Sequence, residues 1–391
     1  MILHPGHIRN SIKPEIKFIC GFIAPLNNWS QDEFNSRIVK QHADELLATL
    51  KRHCLYPSFC KSLQGFELPH TIEWDSFGSG LKKTMQHNAA QILKKTSILI
   101  KIQTEFRNNG IPVIFLKGPA LSQRLFGDVA MRYSWDLDIL VQAHNLGKAI
   151  ELLVNSGYSG DLNSSLTKKQ LAYCLINFQH FTFYNTEENS CIELHWHITS
   201  LDLLTSINTD TLFLNTEQLI IAGKPIIVLK PEYELTYLIS HAAFHAFHRL
   251  QWLYDIKLYF EQPAFNKNTM NEFAANWGFT ELFSLTGYLL NLYFGDINTS
   301  IPTIRKRFIK LCIYLVNRSS PELKRQYGMG DHLGRLLILD SWVKRWDLLH
   351  AVFTSPKDWK EIKLPDSLFV IYYLLRPWFV IKRLIKIKAM I

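Results

Sequence analysis

The chain has 391 residues, 47% of them hydrophobic and 13% aromatic, with a formal charge of +9 and a pI near 9.1. That length predicts two or three domains, and that apolar content excludes a largely disordered chain. The positive charge favours anionic partners in general (phosphates, nucleic acid or an anionic membrane surface) without choosing among them.

Six cysteines, Cys20, Cys54, Cys60, Cys174, Cys191 and Cys312, are scattered without a CxxC pair. They read as reduced thiols, not as a disulfide framework or zinc site. The opening MILHPGHIRNSIKPEIKF lacks the basic-then-apolar order of a signal peptide. No stretch approaches the roughly 18 apolar residues of a spanning helix. A cytoplasmic location is expected.

Up to about Asn109 the pattern is helical. Val39, Ala43, Leu46, Leu47 and Leu50 mark one apolar face. Pro57, Gly65, Pro69, Gly78 and Gly80 predict a connection from Tyr56 to Gly80, followed by a long helix over 81–109 that stops at Asn109-Gly110. Ile111 to Leu116 is an apolar run too short for a helix and reads as a buried strand. After a short helix over 120–126, a second strand carries Asp136 and Asp138 and ends in Ile139, Leu140 and Val141. Leu146, Ala149, Ile150 and Leu153 give an amphipathic helix closed by Ser156-Gly157. Strands are expected over 177–184 and 191–198, separated by NTEENS, then a small hairpin around Ala222-Gly223-Lys224. Pro231 with Glu232 and Glu234 starts a helical region through about Phe353, with faces such as Leu235/Leu238/Ile239/Ala242, Leu282/Leu285/Leu289 and Leu333/Leu336/Leu337/Val343. The expected fold class is α/β (α+β): a mixed sheet with flanking helices over 96–230, between an N-terminal helical segment (1–95) and an all-helical region (231–391).

Residues one apart on a strand share a face, so Asp136 and Asp138 project together. Two carboxylates at the start of an apolar strand are costly to leave unpaired. A divalent cation is their usual partner, and Mg²⁺ typically takes one or two carboxylates plus substrate phosphates. Lys117-Gly118 lies where a strand feeds a helix, so backbone N–H groups and a helix N-terminus can approach a phosphate there, with Lys117 as countercharge. An anion-binding turn beside a carboxylate metal site, with Arg132 between them in sequence, is what nucleotidyl transfer needs, and Lys117-Gly118 with Arg132 would steady the triphosphate. The strand over 191–198 sets Glu193, His195 and His197 on one face, and Glu193 is the candidate third carboxylate, to hold a second metal or take the acceptor's proton. The competing structural reading is a strand-end acid pair that caps loop N–H groups.

Leu116-Lys117-Gly118-x-x-Leu121, Leu125-Phe126-Gly127-Asp128, Arg132 and Asp136-x-Asp138-Ile-Leu-Val together resemble a bacterial family of uncharacterised nucleotidyltransferases within the polymerase-β-like superfamily. His241-x-x-x-His245 with Arg249, Trp252, Leu253 and Asp255 is similar to a later segment of that family, so the resemblance runs over about 81–260. It implies Mg²⁺-dependent (or Mn²⁺-dependent) transfer of NMP from an NTP, with release of pyrophosphate. Asp136 and Asp138 would be the metal-binding carboxylates and Glu193 the counterpart of the third. The chain departs from the superfamily at Pro119, where Ser usually follows the glycine; proline removes one backbone donor. The acceptor is left open among a small molecule, a peptide product and a protein. The alternative function is a non-catalytic nucleotide- or partner-binding protein of the same fold.

His241, His245 and His248 have the i, i+4, i+7 spacing of one helical face, which with His195 and His197 raises a transition-metal site. The more modest expectation is that His245 and Arg249 touch the nucleotide or the acceptor. No aromatic-interleaved basic motif signals nucleic acid. The C-terminal RPWFVIKRLIKIKAMI places Trp378, Ile381, Leu384 and Ile385 on one side of a basic helix. Such an end either packs on the protein with a solvated basic face or makes a peripheral contact with an anionic membrane.

Overall fold

A computed structural model describes residues 10–24, 28–160, 166–198, 204–263, 265–295, 306–318, 334, 336–339, 341–350 and 354–388. The N-terminal helices are α1 (Pro14–Ile23), α2 (Gln31–Ile38), α3 (Ala43–His53), α4 (Tyr56–Ser62) and the 37-residue α5 (Ile72–Asn108). The α/β unit follows as β1 (Ile114–Phe115), α6 (Pro119–Phe126), β2 (Leu137–Leu140), α7 (Leu146–Asn155), β3 (Ser159–Gly160), α8 (Lys168–Asn177), β4 (His180–Asn185), β5 (Ser190–His195), α9 (Thr209–Leu214), β6 (Thr216–Ile221) and β7 (Lys224–Leu229). Then come α10 (Pro231–Phe244), α11 (Leu250–Phe260), α12 (Lys267–Asn276), α13 (Thr280–Phe294), α14 (Lys306–Asn317), α15 (Trp342–His350), α16 (Pro356–Glu361) and α17 (Ile371–Lys388).

Five strands form a mixed sheet in the order β1-β2-β5-β4-β3, and β6-β7 is a separate hairpin. Among the described residues only β2 and β5 pair in parallel. The sheet divides two cores because its strands alternate their faces. Leu137, Ile139, Ile192, Leu194, Phe181 and Phe183 point into one, with α5, α7 and α17. Ile114, Leu116 and Leu140 join the other, which unites α1–α4 with α10, α11, α13 and α14.

Several predicted boundaries move, each for a packing reason. The long helix starts at Ile72, capped by Thr71, and runs straight through Gly78 and Gly80. A Cβ at Gly80 would stand 2.9 Å from Leu47 Cδ2, so this glycine serves close helix packing and breaks nothing. The expected connection from Tyr56 holds α4, with Pro57 in its first turn, where a missing N–H costs little. Val39 caps α2 and is 61% exposed, so the apolar face of α3 begins at Ala43. Of the predicted strand at 111–116, only Ile114 and Phe115 pair, although Leu116 N–H still donates to Asp138 O. Val343 is exposed on α15, and Leu333 lies outside the described residues.

The C-terminal helix α17 docks on the α/β unit. Tyr372 and Phe379 are fully buried in the core shared with Tyr173 and Trp359. Arg376 Nη1 donates to both Asp358 oxygens at 2.9 and 2.8 Å, and Lys382 pairs with Glu361 at 2.7 Å. Leu374, Trp378 and Ile381 face outward; the side chains of Leu384 and Ile385 lie outside the described residues. No helix among the described residues is long and apolar enough to cross a membrane, and none of the six cysteines forms a disulfide among the described residues.

Phe59 is fully buried and touches the rings of Phe18, Phe22 and Phe77. Phe59→Ala is expected to cost about 3–5 kcal/mol, read as a lower denaturation midpoint at unchanged slope.

Candidate active site

The parallel pairing of β2 with β5 sets Asp138 directly opposite Glu193. The antiparallel pairing of β5 with β4 sets His195 opposite His180. Leu137, Ile139, Ile192 and Leu194 anchor the apolar face of these strands, so Asp138, Glu193 and His195 must emerge on the other. Asp136, just before β2, shares that side. One oxygen from each of Asp136, Asp138 and Glu193 lies within 4.8 Å of the others. They line a cavity of about 610 Å³, together with Lys117, Arg132, Trp135, His180, His241, His245, His248, Arg249 and Trp252.

Asp138 is fully buried, and its two oxygens have different surroundings. Oδ1 is crowded: Lys117 Nζ lies at 2.9 Å, the Tyr237 hydroxyl donates at 3.4 Å, and His195 Nε2 lies at 3.3 Å. Oδ2 is buried and has no hydrogen-bond donor among the described residues. An orphaned carboxylate oxygen is expensive to bury. Its place beside two further carboxylates fits a divalent cation.

The site's charges follow from burial and neighbours. Burial opposes ionisation of Asp138, but the Lys117 ammonium and His195 overcome it and hold the carboxyl below its ordinary value. Burial opposes ionisation of Glu193 as well, yet the imidazoles of His180 and His195 keep its carboxyl well below the usual range. Asp136 goes the other way. Burial, then the repulsion of Asp138 and Glu193, push it up to about 7. Burial works against a charge on His195, but the two flanking carboxylates push it up to about 9. Burial draws His180 down to about 4. Lys117 and His195 thus balance Asp138 and Glu193, while Asp136 titrates near neutrality.

Lys117 Nζ also lies 2.9 Å from His241 Nε2. Burial and the Lys117 charge hold His241 well below its usual pKa, so its Nε2 accepts from the ammonium. Gly118 departs from its expected role: it does not line the cavity. With φ +69° it makes a turn that glycine favours, and a Cβ there would meet Ser134 Oγ and Leu137 Cδ2 at 3.5 Å. Arg132, expected on the triphosphate, lines the cavity but is committed to Asp255: Nε and Nη2 both reach Oδ2 at 2.9 Å. Its first task is to offset a buried charge.

The three histidines expected on one helical face do not share a helix. α10 ends at Phe244, and Ala246 and Phe247 both adopt φ +48° before α11 starts at Leu250. Left-handed backbone at two non-glycine residues is unfavourable. Full burial of Phe247, packed on Phe308, holds it. The break turns His241, His245 and His248 around Trp252, at ring distances of 5.0, 5.3 and 4.7 Å, and Arg249 lies over the same indole. Among the described residues no metal-ligating group includes any of these three histidines, and His197 lies past the end of β5, outside the cavity lining. Sequence reasoning missed His180 and Trp135. His180 carried the signal of a polar residue on the Glu193-facing side of a strand, but only the pairing register reveals its partner.

This chain belongs to the family described as uncharacterised nucleotidyltransferases, whose profile matches residues 40–295. A solved structure, an antigenic nucleotidyltransferase-like protein from Paracoccidioides brasiliensis, is similar at 14% identity and a TM-score of 0.27, covering 51% of this chain and 96% of that one. No curated protein matches.

Burial pushes the Asp255 carboxyl up to about 6 even with Arg132 beside it. Arg132→Met strands that carboxylate and is expected to cost about 3–5 kcal/mol in chemical unfolding. The double variant Arg132→Met/Asp255→Leu is expected to regain most of the loss.

Proposed function

We propose that this chain is a divalent-metal-dependent nucleotidyltransferase that moves an NMP from an NTP to an acceptor hydroxyl and releases pyrophosphate. The observation that carries the reading is the triad of Asp136, Asp138 and Glu193, with the donorless Asp138 Oδ2, on the wall of one cavity. Mg²⁺ (or Mn²⁺) held by these three groups would supply neutralisation of charge on the phosphates.

The remaining residues bind and orient. Lys117, fixed between Asp138 and His241, presents an ammonium to the phosphates. Arg249 and the histidines around Trp252 add donors and ring faces on the α10–α11 side of the cavity. Trp135, 59% exposed and one residue before Asp136, offers a ring on which a base can stack. In the transfer, the acceptor hydroxyl oxygen bonds to the α-phosphorus and gives up its proton to solvent, while the bond from that phosphorus to the bridging oxygen breaks and pyrophosphate leaves. Glu193, held ionised far below neutrality, suits a ligand's role more than a base's.

Equilibrium binding of the four NTPs with and without Mg²⁺, wild type beside Asp136→Asn/Asp138→Asn, tests this. Binding that requires both the metal and the aspartates is expected, with a loss of about tenfold or more in the variant. Binding indifferent to both overturns it, and metal-dependent binding without turnover on any acceptor supports the non-catalytic alternative. A cation takes Asp136 in its deprotonated form. With that carboxyl near 7, Mg²⁺ affinity should fall as pH drops below about 7, approaching tenfold per unit, and level off above it. Calorimetry in buffers of different ionisation enthalpy should show a proton released on binding near pH 7.

A further inference from the structure

Glu193 belongs to two clusters at once. Besides the carboxylate triad, ligand atoms of His180, Glu193 and His195 lie within 4.8 Å of one another. We infer that His180, His195 and Glu193 form a second, nitrogen-containing metal site for a transition-series divalent ion such as Zn²⁺ or Fe²⁺, joined through Glu193 to the three-carboxylate site.

The distances are longer than direct hydrogen bonds and match the ligand spacing of a metal shell. His180 Nε2 lies 3.6 Å from Glu193 Oε1, and His195 Nε2 lies 3.4 Å from Glu193 Oε2. A direct N–H···O bond spans about 2.7–3.2 Å. Four-coordinate N and O ligands about 2.0–2.2 Å from a metal stand about 3.3–3.6 Å apart, the edge of a tetrahedron. Both contacts have the second spacing, each to a different Glu193 oxygen. His195 Nε2 also lies 3.3 Å from Asp138 Oδ1 with no aligned hydrogen bond among the described residues. An ion bound there takes the place of the proton that the two carboxylates otherwise hold on His195. Neither histidine's Nδ1 finds a hydrogen-bond partner among the described residues, so the Nε2 edge is where each ring's interaction lies.

The fold makes the arrangement rigid. His180 and His195 are a cross-strand pair with ring centroids 4.7 Å apart, and Glu193 is two residues from His195 on the same face. Two imidazoles and a carboxylate prefer borderline ions, whereas the oxygen-only triad prefers Mg²⁺ or Mn²⁺. His180 and Glu193 line the cavity, so a three-ligand set leaves a fourth position for water or a substrate oxygen.

The proposal stands on this geometry and does not depend on the transfer reaction. Its test uses the full chain, stripped with EDTA and titrated with Co²⁺ as the probe ion. With excess Mg²⁺ present to occupy the oxygen-only triad, one Co²⁺ per chain is expected, with scattering from two imidazoles in its X-ray absorption spectrum. His180→Ala should weaken Co²⁺ binding by roughly tenfold or more, while Asp136→Asn keeps the imidazole signature. No Co²⁺ uptake, a shell of oxygens alone, or unchanged affinity in a folded His180→Ala would overturn it. The wild-type spectrum decides the matter even if the variant fails to fold. Co²⁺ held by two imidazoles in a protein that transfers nothing would leave this site standing without the transfer reading. Mg²⁺-dependent transfer without such Co²⁺ binding would do the reverse.

Discussion

The parallel pairing of β2 with β5 is the constraint on which the site depends. It sets Asp138 opposite Glu193, two acidic groups 55 positions apart in the chain. A shift of one residue in either strand would turn its polar side chains into the apolar core and its Ile and Leu residues out of it. The register is therefore enforced by Leu137, Ile139, Ile192 and Leu194, all fully buried on the far side. Packing on one face of the sheet dictates chemistry on the other.

Concentrating acids this way has an electrostatic cost, and the surroundings show how it is met. Three cationic or polar groups, Lys117, His195 and Tyr237, converge on Asp138 Oδ1. They come from three different parts of the chain: the end of β1, β5 and α10. Asp136 has no such set and responds by holding its proton to about pH 7. Arg132 repeats the pattern nearby, where it offsets the buried Asp255. The charged groups around the cavity thus hold one another in place as well as facing a substrate.

The helices after Pro231 form the second wall. Their contribution rests on the break at Ala246 and Phe247, where the buried Phe247 ring keeps two residues in an unfavourable backbone region. That break turns His245, His248 and Arg249 toward the cavity. A continuous helix would have spread the same residues along a stripe instead. The N-terminal helices share a core with this wall, so the segment before the sheet supports the site without contributing to its lining.

Much of this was legible in the sequence because period and spacing carry it. Alternation placed Asp136 and Asp138 on one side of a strand and Glu193 on a polar strand face, and short apolar runs marked β2, β5 and the hairpin. Gly78 and Gly80 misled, because a glycine that permits close helix packing looks the same in sequence as one that ends a helix. The commitment of Arg132 to Asp255, the meeting of Lys117 with His241 and the pairing of His180 with His195 join residues 123, 124 and 15 positions apart. Local periodicity carries no information about such pairs. By itself the sequence determined which side chains share a strand face and which segments are apolar enough to be core. Only the tertiary structure decided which faces meet, because strand order, register and the break before α11 are set by long-range packing.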